Sequence, residues 1–251
     1  MLCIGLDSDI QKIPKHLLDY NDPVLEFNKQ IIEATYDLCV AVKPNIAFYE
    51  SMGIAGWNSL SKTMEIIPED IFTIADAKRG DIGNTSLMYA KTFFDVFDFD
   101  AVTVAPYMGY DSVEPFLRYE KKWTILLALT SNPGAADFQM LDSNGQKIFE
   151  HVIRTSSAWA SAGNLMYVIG ATKYSMLSEI RKLIPDHFLL VPGVGAQGGS
   201  VAGVCRFGMN KDCGLLINAS RSILYASSEK DFAIRAREEA MKLVKEMKPF
   251  F

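Results

Sequence analysis

Asp76-Ala77-Lys78-Arg79-Gly80-Asp81-Ile82-Gly83-Asn84-Thr85 follows directly on the apolar run Ile71–Ala75, so a strand-forming segment ends in a cluster of alternating charges. A lysine held among carboxylates stays protonated and fixed in place, which makes Lys78 a candidate cationic acid. In an extended segment side chains alternate with a period of two, so Asp76 and Lys78 are expected to share one face. A surface ion pair is the plainer reading of the same two residues, and such a pair contributes little to stability. Lys43, after a second apolar run, and Asp7, after the first, favour the chemical reading, because neighbouring strands would bring them alongside.

Two further segments could bind a ligand. Pro192-Gly193-Val194-Gly195-Ala196-Gln197-Gly198-Gly199 carries four glycines that let the backbone come close to an anion. Arg221, in Ser220-Arg221-Ser222, offers a bidentate contact of the kind that suits phosphate. Ser131-Asn132-Pro133-Gly134 combines a hydroxyl, an amide and a tight turn, a set that could read a planar, amide-bearing ring or serve simply as a polar turn.

The elements that must position these residues recur regularly. Apolar runs rich in β-branched residues occur at Leu2–Leu6, Cys39–Val42, Ile71–Ala75, Ala101–Ala105, Trp123–Leu129, Leu165–Gly170, Phe188–Val191 and Cys213–Ile217. Between them, helical spacing covers about 24–38, 46–66, 84–96, 112–120, 145–162, 174–184, 199–209 and 229–248. Nearly continuous apolar strands alternating with helices imply parallel strands covered on both faces. Eight such units predict an α/β fold closed into a (β/α)8 TIM barrel, a single domain over residues 1–251. An open doubly wound sheet is less suited, since no Gly-x-Gly-x-x-Gly follows the first strand. In the barrel, every polar residue named above lies at one rim, the carboxyl end where such folds do chemistry. The chain enters its first strand at once, with no helix ahead of it to plug the barrel floor, as a shortened amino terminus would leave it.

Composition narrows the field. With 49% hydrophobic and 22% charged residues the 251-residue chain can bury one large core. A net charge of −5 without basic runs longer than a pair argues against nucleic acid as a partner. No stretch has the length and apolarity of a membrane span and no leader pattern opens the chain, which predicts a cytoplasmic protein. Cys3, Cys39, Cys205 and Cys213 lack metal-ligand spacing and read as buried thiols. His16, His151 and His187 lie apart from one another and read as surface or edge residues outside any metal site.

Taken in order from Asp7 to Arg221, the Lys43-Pro44-Asn45 strand end, the 76–85 motif, Ser131-Asn132-Pro133-Gly134-Ala135, the 192–199 loop and Ser220-Arg221-Ser222 resemble orotidine 5′-phosphate decarboxylase. The Asp-Ala-Lys-Arg-Gly-Asp form looks like the bacterial subgroup called type 2. The resemblance implies a homodimeric barrel that converts orotidine 5′-monophosphate to UMP, the last step of de novo pyrimidine synthesis, with no metal or organic cofactor. It implies a charged network of Lys43, Asp76 and Lys78, joined by Asp81 from the partner subunit, with Lys78 as proton donor. Asp7 and Lys43 would meet the ribose, Thr85 would reach across the dimer interface, and Ser131 would contact the pyrimidine. Gln197 and Arg221, with Ser220 beside them, would hold the phosphate. Ser220 departs from the glycine often found before that arginine, and the polar stretch Gly134–Gly145 is long enough to serve as a lid.

Two other functions fit the same scaffold. Related Asp-x-Lys-x-x-Asp patterns serve Mg2+-dependent sugar-phosphate lyases and epimerases, although these usually add a carboxylate where this chain has Lys43-Pro44-Asn45. A catalytically silent nucleotide-binding barrel is the other, and the intact set of two lysines and two aspartates speaks against it.

Overall fold

The structure, a computed structural model, describes residues 1–194 and 199–251. Eight parallel strands close into a barrel: Leu2–Leu6, Ala41–Pro44, Phe72–Arg79, Ala101–Val104, Trp123–Leu129, Leu165–Ile169, Leu189–Pro192 and Leu215–Ala219. Each strand pairs with its sequence neighbours, and the first closes the ring on the eighth through Leu2 opposite Ile217 and Ile4 opposite Ala219. The expected (β/α)8 TIM barrel is the observed fold.

Alternation along the strands divides the apolar residues into two sets. Leu2, Ile4, Val42, Val102, Leu126, Tyr167, Leu189 and Ile217 face outward and pack under the helices in one large core. Cys3, Ala41, Ile74, Ala101, Ile125, Met166, Leu190 and Leu216 face inward and fill the barrel. Phe72, Trp123 and Phe188 pack below this inner set, with the Trp123 and Phe188 rings edge to face at 6.4 Å. Aromatic side chains therefore line the floor, where they surround an apolar hollow of about 300 Å³.

The helices start and stop for local reasons. Pro23–Thr35 opens with proline in its first turn, and the Asp22 carboxylate accepts the Leu25 N–H at 3.1 Å. The segment expected as one helix over 46–66 is two, Ile46–Glu50 and Ile54–Ile66, because Gly53 adopts a left-handed φ of 63° between them. The helix expected over 84–96 runs from Gly83 to Lys91 and passes into a π turn over Thr92–Val96. The Gly134–Gly145 stretch contains a short helix, Ala135–Phe138, and one strand of a small hairpin that pairs Asp142–Ser143 with Gln146–Lys147.

All four thiols are free, Cys213 being only partly buried. His187 departs from its expectation: it is 9% exposed, packed against the Tyr167 ring, and its burial and the neighbouring Arg181 guanidinium both lower its pKa. No described helix is long and apolar enough to cross a membrane.

Candidate active site

The site is the uppermost layer of the barrel interior. Two residues beyond the inward Cys3, Ala41, Ile74, Ala101 and Leu216 stand Gly5, Lys43, Asp76, Thr103 and Asn218, so the period that fills the core below places polar groups above it. Register aligns them: Gly5 is opposite Lys43, and Asn45 bridges to Asp76.

Asp76 is the centre of the layer. Its Oδ2 accepts from Lys43 Nζ at 2.6 Å, while its Oδ1 accepts from Lys78 Nζ at 2.5 Å and from the Thr103 hydroxyl at 3.2 Å. Burial raises the Asp76 pKa, but the two ammonium groups outweigh it and hold the carboxyl well below the usual range. Burial also lowers Lys43, and Asp76 and Asp7 together reverse that, so its net shift is upward and the ammonium is retained. The Lys43 side chain is 4% exposed, whereas that of Lys78 is 52% exposed and projects into the mouth.

Lys78 reaches Asp76 by a route the alternation rule does not describe. The third strand pairs Ala75 with Val102 and then Arg79 with Val104, which inserts two extra residues on its side. Within this bulge Lys78 takes a left-handed φ of 49°, uncommon for a residue with a side chain. Asp76 and Lys78 meet because the strand bends, in place of the regular pleat expected from the sequence. Beyond the bulge the Arg79 guanidinium bonds Glu50 and the Ala77 carbonyl and lies over the rings of Tyr89 and Phe93, at 5.3 and 5.4 Å.

Asp7 sits at the end of the first strand, half-buried. Its Oδ1 is sequestered from solvent and has no hydrogen-bond partner among the described residues. Its backbone carbonyl accepts the Tyr225 hydroxyl at 2.6 Å, and that hydroxyl accepts the Asp9 N–H at 2.8 Å. Next to it, Ser8 donates to Asn28 Oδ1, and the Asn28 amide donates to Tyr49 at 2.9 Å and Thr63 at 3.0 Å. This buried network fixes the loop that carries Asp7 to the Pro23–Thr35 helix, and through Asn28 to the two helices that hold Tyr49 and Thr63.

The other expected residues are placed around this layer. Ser131 follows the fifth strand, pressed against Gly170, where a Cβ would lie 2.6 Å from the Ser131 nitrogen; only glycine fits there. Ser220 donates to the Gly5 carbonyl at 2.9 Å, and Arg221 begins a short helix with its side chain exposed. Asp81 accepts the Ile82 N–H at 2.7 Å, and Thr85 lies exposed in the first turn of its helix. Among the described residues no hydrogen bond or ion pair joins Asp81 or Thr85 to Asp76 or Lys78 of the same chain. Gln197 lies outside the described residues.

Sequence reasoning did not find Thr103 or Tyr225. Thr103 looks like an ordinary strand residue, and its one signal was a position two beyond an inward core residue. Tyr225 is 218 positions from the Asp7 carbonyl it holds, with no local pattern to link them.

Comparison with known proteins gives a consistent result. A family model described as orotidine 5′-phosphate decarboxylase / HUMPS family matches residues 1–236. An orotidine 5′-phosphate decarboxylase of Flavobacterium johnsoniae is 62% identical over 249 residues, covering 98% of this chain and 91% of the relative. The solved structure of the Leishmania donovani OMP decarboxylase superposes with a TM-score of 0.83 at 35% identity, covering 97% of this chain and 94% of that one. The Leishmania donovani UMP synthase gives a TM-score of 0.89 at 36% identity; this chain is covered over 99% of its length and spans 53% of the larger one.

Proposed function

Because the chain belongs to the orotidine 5′-phosphate decarboxylase / HUMPS family, we propose that it removes CO2 from orotidine 5′-monophosphate to give UMP without a cofactor. The observation that carries this reading is the row Lys43, Asp76 and Lys78 at the barrel mouth, in which one buried carboxylate fixes two ammonium groups.

In this reaction the bond from C6 to the carboxylate carbon breaks, CO2 leaves, and the electron pair stays on C6 in an orbital the ring cannot delocalise. A fixed positive charge beside that carbon lowers the barrier because it gains most as the charge forms. Lys78 supplies the charge, and its Nζ then gives a proton to C6. Asp76 orients that ammonium through its Oδ1; Lys43 balances Asp76 and, with Asp7, binds the ribose hydroxyls. The unpaired, buried Oδ1 of Asp7 supports the last role. Ser131 contacts the pyrimidine, and Arg221, Ser220 and Gln197 hold the phosphate, whose binding energy is used at the distant C6.

The chain acts as a homodimer of one-domain barrels in the cytoplasm, with Asp81 and Thr85 completing the partner's site. Their position at the rim, unconnected to their own chain's Lys78, supports this arrangement. The test is the loss of orotidine monophosphate absorbance on adding purified protein in EDTA. Turnover equal to that without chelator is expected; no turnover, or turnover only on restoring Mg2+, would reject the reading.

A further inference from the structure

We infer that Thr103 is a positioning residue for the catalytic ammonium, holding Lys78 at both its ends. The inference rests on the role of Lys78 proposed above.

The bulge in the third strand takes the Lys78 N–H out of the ladder, and a buried backbone donor without a partner is costly. Thr103 Oγ1 accepts that N–H at 2.9 Å, in place of the strand carbonyl the bulge displaced. The same hydroxyl carries one proton, which it can give to Asp76 Oδ1 at 3.2 Å. That oxygen also accepts from Lys78 Nζ at 2.5 Å. Thr103 Oγ1, the Lys78 N–H, the lysine side chain, its ammonium and Asp76 Oδ1 thus form a closed ring.

Two properties make this more than incidental packing. Lys78 sits in a left-handed conformation that disfavours residues with a Cβ, so something must hold it there. Thr103 itself is 1% exposed and belongs to the regular part of the fourth strand, opposite Ile125. A rigid element therefore sets the origin of a side chain whose own segment is irregular. Without the hydroxyl, the Lys78 N–H loses its acceptor, the bulge relaxes, and the ammonium moves relative to C6. A displacement of about 1 Å in a catalytic group lowers rates by roughly 100-fold.

The experiment measures kcat and KM for orotidine monophosphate in the wild type, Thr103→Val and Thr103→Ser. Valine keeps shape and burial while deleting the hydroxyl; serine keeps the hydroxyl. Thr103→Val is expected to lose roughly 10- to 100-fold in kcat with KM changed by less than about 3-fold, and Thr103→Ser to stay within about 3-fold of the wild type. Rates are expressed per UMP-binding site counted by titration, so that an unfolded fraction does not lower kcat and the remaining loss, with its rescue by serine, reports the position of the ammonium. A wild-type kcat in Thr103→Val overturns the inference, as does an equal loss in Thr103→Ser. Should valine fail to fold, Thr103→Ala and Thr103→Ser form the second comparison, since both lose the methyl and differ in the hydroxyl; equal kcat in that pair overturns the inference too. The proposed activity is judged separately, by whether the wild type turns over the substrate at all.

Discussion

Replacing Asp76 with asparagine keeps the shape of the central residue and removes its charge, which leaves the Lys43 ammonium buried beside an amide. Lys43 has its Nζ 2.6 Å from Asp76 and only 4% of its side chain exposed, so little water is available to replace the lost partner. Removing one member of a buried ion pair costs about 3 to 5 kcal/mol, and the remaining charge of Asp7 points to the lower end, about 3 kcal/mol. Lys78 is half exposed and contributes at most about 1 kcal/mol more. For a chain of this length the total of about 3 to 4 kcal/mol is a fall in melting midpoint of about 6 to 16 °C at pH 7.

The pH dependence gives the sharper test. In the wild type the Lys43 pKa is raised in the fold, so its contribution is complete below the ordinary value of 10.5 and is lost as pH rises through the higher folded value. In Asp76→Asn burial is no longer opposed by the carboxylate, the folded state disfavours the ammonium, and the penalty lifts as pH climbs toward 10.5. Below pH 10.5 the wild-type contribution is constant, so it is the variant's trend that narrows the gap between the proteins as pH rises from about 6 to 10. Asp76 itself stays ionised throughout, since its depressed pKa affects stability only as pH falls below the ordinary 3.8. Calorimetric melting of both proteins at pH 6, 7, 8, 9 and 10 checks this. Equal midpoints at pH 7, or a gap that does not change across the series, would refute the account of Lys43 as a buried cation held by Asp76.

Lys78→Ala should lower decarboxylation by at least about 10⁴-fold while titration still shows UMP binding; near-normal turnover would remove Lys78 from the chemistry. Arg221→Ala should weaken UMP binding by roughly 10- to 100-fold and leave uridine binding little changed, measured by calorimetric titration. An equal loss for both ligands would make the Arg221 contribution structural. Mixing Lys78→Ala with Asp81→Ala protein should restore part of the activity through hybrid dimers with one intact site. No recovery after confirmed subunit exchange would place Asp81 in its own chain's site.

The barrel was legible because its strands announce themselves as apolar runs. Leu2–Leu6 and Trp123–Leu129 match their expected limits, since nearly every residue in them is buried. The second, seventh and eighth strands lie one or two residues further along than their apolar runs. Cys213, for example, takes a left-handed φ of 68° ahead of its strand, while the polar Lys43 and Asn218 are inside theirs. Hydrophobicity marks where a strand is buried, and at this rim the strands continue into a polar layer it cannot see. The charges of the site were equally visible, but the bulge that joins Lys78 to Asp76 was not. It depends on which residues of the fourth strand face the third, a matter of register. The histidine at 187 escaped because nothing nearby in sequence shows that Tyr167 covers its ring.

The inward columns of the barrel have a consequence for how such a protein can change. Beneath Gly5, Lys43 and Thr103 stand Cys3, Ala41 and Ala101, three small side chains with no measurable exposure. They act as spacers that set the height of the reactive tier above the floor. An added methylene at any of them must displace its packed neighbours, and the share of that shift that runs upward reaches the reactive tier. Substitutions at these depths, remote from any substrate atom, would then surface as kinetic defects, and the freedom of the interior to drift is limited by the precision the mouth requires.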